Sequence, residues 1–180
     1  GMAADIFETY TIAIIATMIL GALNFPQNPQ FIMLPLFLGG ISILASIAGS
    51  FFVKLGKKKN IMGALYKGVI AAAVLSAIGF YPVITQLRTE TPFNLYLASL
   101  VGLVIAAGMI VNTDYYTSKN RKPVKDIAKA SETGHATNVI TGLAIGMKST
   151  AWPIILISAG IIISFWLAGI YGVALSVMAM

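Results

Sequence analysis

The sequence predicts an all-α fold, a polytopic bundle of transmembrane helices with about five full spans and a truncated sixth. Three observations predict it. Of 180 residues, 58% are hydrophobic and 10% charged, against about 25% charged in an ordinary soluble domain. The twelve Lys or Arg and six Asp or Glu gather in short segments and leave apolar runs of about 20 residues, the length that crosses a bilayer as a helix. Backbone groups in hydrocarbon must be satisfied within their own segment, so these runs read as helices. Strands of a membrane barrel would alternate apolar and polar residues, and these runs do not.

The elements follow in order. The first span, 3–23, carries the only acids in any span, Asp5 and Glu8. The second, 31–53, is uncharged, and the third, 61–87, holds Lys67 near its start. The fourth, 92–113, is again uncharged. A longer stretch, 133–167, is interrupted by Lys148 and Pro153, and a sixth run, 170–180, stops short of a full crossing. The first span lacks the basic lead-in of a secretory signal, and the chain opens at Gly1 and closes at Met180 inside an apolar run. The expectation is an internal piece of a larger membrane protein.

Composition also excludes. With no Cys and one His, disulfides, thiol chemistry and Cys- or His-built metal sites are poor readings. The net charge of +6 comes from loops rather than a basic face, so nucleic acid is not an expected partner. No glycine-rich nucleotide cradle is present.

The loops suggest orientation. Lys54, Lys57, Lys58 and Lys59 fall in the segment 54–60, and Lys119, Arg121, Lys122, Lys125 and Lys129 in the segment 114–132. The alternate turns, Asn24–Gln30, Arg88–Thr91 and Ala168-Gly169, carry Arg88 alone. The positive-inside rule puts the lysine-rich segments in the cytoplasm. Within 118–137, Pro123 is placed to open a short helix over Val124–Ala128, with Thr133-Gly134 as its break. A basic loop of this kind reads first as a topology signal or a lipid-headgroup contact.

Asp5, Glu8 and Thr9 stand at i, i+3 and i+4, one face of a helix. Acids inside a span are rare, face the protein interior and mark ion pathways. A Glu there can hold or release a proton, or coordinate a small cation. The blander reading sets Asp5 in the headgroup region and leaves only Glu8 within the membrane. Lys67 reads as a snorkelling residue, Trp152 as an interfacial aromatic and His135 as a helix-start residue. Gly142 and Gly146 form a GxxxG pattern that lets helix backbones approach, a weak sign of helix packing or a dimer contact. Ser42, Ser46 and Ser50 form a similar ridge.

Particular stretches then resemble a known family. Gly1-Met-Ala-Ala-Asp-Ile-Phe-Glu-Thr-Tyr10 resembles the start of the sixth transmembrane helix of membrane-bound, ion-pumping pyrophosphatases. Asp114-Tyr-Tyr-Thr117, Lys122-Pro-Val124, Ala130-Ser-Glu-Thr-Gly134 and Ala136-Thr-Asn138 resemble its cytoplasmic loop between helices nine and ten. Gly142-Leu-Ala-Ile-Gly-Met-Lys-Ser-Thr150 and Gly169-Ile-Tyr-Gly172 continue the match. Asp114 stands where the family more often has Glu.

The resemblance implies a multi-pass membrane protein with sixteen transmembrane helices per subunit, working as a homodimer. This chain would run from helix six into the start of helix eleven. It implies magnesium-complexed pyrophosphate as substrate, held at the cytoplasmic side, and hydrolysis coupled to transport of protons, sodium ions or both. By the same token the catalytic residues and the Mg2+ ligands lie outside this chain. Asp5 matches the gate-region Asp, Glu8 the ion-gate Glu and Thr9 a small hydroxyl residue that helps coordinate the ion. The wording Ala-Asp-Ile-Phe-Glu-Thr-Tyr leans toward bacterial or archaeal proton pumps that do not need potassium. The rival reading is a fragment of a secondary cation transporter or channel without hydrolytic activity; a third is a small stand-alone membrane protein.

Overall fold

A computed structural model describes residues 1–54, 61–86 and 92–180. The described residues form seven helices: α1 Met2–Asn24, α2 Gln30–Ser50, α3 Ile61–Thr85, α4 Pro92–Thr117, α5 Lys122–Ser131, α6 His135–Ser149 and α7 Ala151–Ala179. Five helical stretches are long and apolar enough to cross a membrane, as the sequence predicts. Lys57, Lys58 and Lys59, and the turn at Arg88–Thr91, lie outside the described residues.

The chain divides into two compact units, Gly1–Leu103 with Ile163–Met180, and Val104–Ile162. In the first unit the core gathers Ile14, Phe31, Leu34, Leu38, Phe80, Ile84, Leu95, Tyr171 and Leu175. Elsewhere the surface is apolar. Leu23 is 72% exposed, Phe51 74% and Trp166 92%. A soluble protein hides such side chains; a bilayer is the solvent that tolerates them.

Prolines decide where the helices meet. A proline inside a helix leaves the carbonyl four residues earlier without its donor, and that carbonyl must find another in lipid. Pro35 sits inside α2 and so deprives the Phe31 carbonyl. The Tyr171 hydroxyl of α7 donates to that oxygen at 2.7 Å, buried. Phe25 stacks on Phe31 with ring centroids 4.0 Å apart, and Tyr171 meets both rings edge-on.

Within the second unit the same device recurs. Pro153 lies in the first turn of α7 and deprives the Ser149 carbonyl at the end of α6. Asn112 Nδ2 of α4 donates to that oxygen at 3.2 Å. The stretch 133–167, a single interrupted run in the sequence, thus becomes two helices that meet at Thr150. Gly134 precedes α6 at φ 138, and Thr137 Oγ1 bonds to the Gly134 and Ala130 carbonyls at 2.8 and 3.1 Å. Those bonds tie α6 to the end of α5.

Helix α7 is broken at Ala168 and Gly169, whose backbones are non-helical. Gly169 has φ 63 and ψ −154, a conformation open essentially to glycine alone. The break stands two residues before Tyr171 and so sets the direction in which that tyrosine leaves the chain. A Cβ at Gly169 would meet nothing within 4 Å, so a Gly169→Ala variant isolates the backbone term. It is expected to destabilise the protein by about 1–3 kcal/mol, read as a lower thermal unfolding midpoint in detergent. An unchanged midpoint would show that the break does not need its glycine.

Candidate functional site: the acidic face of helix α1

Residues 3–20 of α1 contain neither Gly nor Pro, so nothing interrupts the helix until Gly21. It ends at Asn24, and Phe25, whose backbone is non-helical at φ −131 and ψ 61, precedes Pro26, a position that disfavours helix.

One face of α1 is seated on the first unit. Tyr10 is half-buried and Ile14, Thr17 and Gly21 are buried, a spacing of about one turn each. A Cβ on Gly21 would come within 2.7 Å of the Phe31 carbonyl oxygen and 3.3 Å of the Tyr171 ring. The Tyr10 hydroxyl lies against Gly39 of α2. Thr17, 1% exposed, shares its hydroxyl proton between the Ala13 carbonyl at 2.7 Å and the Ala174 carbonyl of α7 at 3.2 Å. Contacts along nearly three turns fix the rotation of α1 about its axis.

Asp5, Glu8 and Thr9 lie roughly half a turn away from that seat. All three are exposed. Ile12, Ile15, Ile19 and Leu23 continue the same outward face and are each at least half exposed. Among the described residues neither carboxylate has an ion-pair partner. The Thr9 hydroxyl donates to the Asp5 carbonyl at 2.9 Å, which spends its proton on the helix and leaves its oxygen lone pairs turned outward. The arrangement offers two carboxylates and a hydroxyl oxygen in a stretch of α1, residues 4–9, that is exposed throughout.

The face suits a proton or a small cation. Among the described residues no three His, Asp or Glu come together. An apolar cavity of about 620 Å³ in the second unit, lined by residues including Tyr115, Tyr116, Trp152 and Leu156, has no acid in its wall.

Gly142 and Gly146 meet nothing within 4 Å of a built Cβ, and no residue of α6 is buried. The GxxxG ridge is therefore open among the described residues. Ser46 and Ser50 are likewise exposed. The close approach of α2 to α3 uses Gly49 instead, where a Cβ would stand 2.8 Å from Ala72 Cβ and 2.9 Å from the Gly68 carbonyl. Sequence reasoning missed the seat of α1. Its signal was present as Tyr10, Thr17 and Gly21 at helical spacing, two polar groups and a glycine amid apolar residues.

The fold and this face define an integral membrane protein built of apolar helices, with a pair of acids carried on one of them. The chain belongs to the inorganic H+ pyrophosphatase family, whose description matches residues 1–180 throughout. The K(+)-insensitive pyrophosphate-energized proton pump of Methanosarcina mazei is 43% identical over 188 residues, covering 100% of this chain and 28% of that protein. Pyrophosphate-energized proton pump 2 of Rhizobium leguminosarum bv. trifolii is 48% identical over 157 residues, covering 81% of this chain and 73% of that one. A K(+)-insensitive pyrophosphate-energized proton pump 2 of Moorella thermoacetica is 38% identical, again with 100% of this chain and 28% of the relative covered. The chain spans a little over a quarter of the length of the Methanosarcina and Moorella relatives.

The seat of α1 yields a prediction. Gly21→Val forces a branched side chain against the Phe31 carbonyl and is expected to destabilise by about 1–3 kcal/mol, whereas Ile19→Val on the outward face is expected to change stability by less than about 0.5 kcal/mol. Unfolding midpoints of the two variants in detergent check it; equal effects would contradict the seating.

Proposed function

We propose that the intact protein is a pyrophosphate-energised proton pump and that α1 supplies its ion gate. The observation that carries this reading is the position of Asp5 and Glu8, exposed near the start of α1 on the side of the helix away from its seat, with no ion-pair partner among the described residues. Ionised side chains are expensive in hydrocarbon and in membrane proteins turn toward protein or a water-filled path. With 28% of the Methanosarcina relative covered, the remaining protein has ample chain to meet that face.

In this reading Glu8 carries the proton, Asp5 pairs with basic residues of other helices, and the Thr9 oxygen accepts a hydrogen bond from the proton in transit or helps to coordinate the ion. The relatives' names support proton over sodium and independence from potassium. Pyrophosphate, its Mg2+ and the residues that hydrolyse it belong to parts of the sixteen-helix subunit outside this chain. Water is the nucleophile, and the products are two phosphates. The same reading makes 1–180 one part of a membrane pyrophosphatase domain, with the spans at 31–53, 61–87, 92–113 and 133–167 mainly outer scaffold and with lysine-rich segments on the cytoplasmic side of a prokaryotic cell membrane. It also makes the protein a homodimer, and gives the open Gly142 and Gly146 ridge a partner helix.

Vesicles holding the intact protein provide the test. Pyrophosphate with Mg2+ is expected to acidify the lumen without added potassium. Glu8→Ala is expected to lower that acidification about a hundredfold, the lower end of what a positioned proton-transferring group contributes. Pumping at the unaltered rate would contradict the role of Glu8. Absence of pyrophosphate hydrolysis in the unaltered protein would remove the pump itself and leave a secondary transporter or channel.

A further inference from the structure

Lys67 is the only cation within the apolar length of α3, and the gate does not use it. It is exposed, and among the described residues no carboxylate pairs with it. It stands about 9 Å along the axis from the start of the helix, at the end that follows the lysine-rich segment. A groove of about 470 Å³ opens beside it, lined by Phe52, Lys67, Ile70, Ala71, Val74 and Leu75. The volume is within the range of small-molecule sites.

The lining has a polarity. Positions 67, 70, 71, 74 and 75 are a single stripe of α3 at i, i+3, i+4, i+7 and i+8. The cation is at the end of that stripe nearer the helix start, and about 12 Å of apolar wall runs away from it toward the middle of the span. Phe52, just past the end of α2, flanks the stripe. The groove persists beside tightly packed helices because the close approach of Gly49 to Gly68 and Ala72 draws the two backbones together on an adjacent face. An ammonium with no ion-pair partner among the described residues, above an apolar channel and near one end of a candidate span, matches one class of molecule in shape and charge.

We propose that this groove binds an anionic phospholipid, its phosphate on Lys67 Nζ and an acyl chain along Ile70, Val74 and Leu75. The charge supplies attraction to an anionic headgroup, and the wall supplies apolar contact that a soluble phosphate cannot use. The proposal rests on the helices being membrane spans and is independent of what the protein pumps.

Native mass spectrometry of the intact protein, released from mild detergent after exposure to dioleoyl-phosphatidylglycerol or dioleoyl-phosphatidylcholine, tests it. The glycerol lipid is expected to be retained in preference to the choline lipid. Lys67→Gln is expected to lower that retention about fivefold, the factor one lysine contributes toward an anionic headgroup. Val74→Trp fills the groove without altering charge and is expected to lower it similarly; Ile70→Ser replaces it should the tryptophan variant not fold, as judged by gel filtration and circular dichroism. Lys54→Gln, outside the groove, is expected to lower retention less than Lys67→Gln does. Equal retention of the two lipids, no effect of Lys67→Gln, no effect of the groove substitution in folded protein, or an equal effect of Lys54→Gln would overturn the proposal. So would displacement of the lipid by inorganic phosphate or pyrophosphate, which would make the Lys67 ligand a soluble anion.

Discussion

The carbonyl of Phe31 is the point on which the first unit turns. Pro35 takes away its helical donor, and hydrocarbon provides no water to replace it. The hydroxyl of Tyr171 does so at 2.7 Å, from a chain position 140 residues distant. A hydrogen bond of this kind contributes only about 0.5–1.5 kcal/mol net in water, but leaving the carbonyl bare in lipid costs several kcal/mol. The contact therefore selects among arrangements more than it adds stability. Any packing of α2 that fails to bring a donor to Phe31 is penalised. The stacked and edge-on rings of Phe25, Phe31 and Tyr171 then fill the space around the bond.

In the proposed reading, function is linked to that carbonyl through α1. Gly21 allows α1 to approach Phe31 closely, and Thr17 shares its proton with α7 at Ala174. With the rotation of α1 set by those contacts and by Tyr10 on Gly39, Asp5 and Glu8 have one place to be. They lie on the outward face, ahead of a run of exposed isoleucines. Ionised side chains in a membrane span call for protein or a water-filled path around them rather than lipid. The open Gly142 and Gly146 ridge of α6 tells the same story in apolar form, since small residues in a membrane helix suit the close approach of another helix.

Much of the fold was legible in the sequence because lipid imposes a simple rule. Runs of about 20 apolar residues become helices, and five such helices are present. The Ala168-Gly169 turn was legible too, because Gly is the residue that tolerates its backbone. Asp5, Glu8 and Thr9 stood out because acids in a span are rare. What the sequence did not disclose was which face each helix buries. In a water-soluble helix polarity separates inside from outside, but here both faces of α2 and α7 are apolar. Packing is instead decided by volume and by single hydrogen bonds, and neither leaves a periodic trace. Hence Ser46 and Ser50 looked like a contact ridge while Gly49 makes the contact, and the pairing of Pro35 with Tyr171 was invisible until both were placed.

The central claim is that the acidic face of α1 borders a hydrated route. Cysteine labelling in membranes tests it most directly, helped by the absence of any native Cys from this stretch. In an otherwise cysteine-free intact protein, Glu8→Cys is expected to react with a small water-soluble thiol reagent, while Ile14→Cys and Thr17→Cys on the seated face do not. If Glu8→Cys resists that reagent and reacts instead with a lipid-soluble one, the carboxylate position faces acyl chains and the account fails.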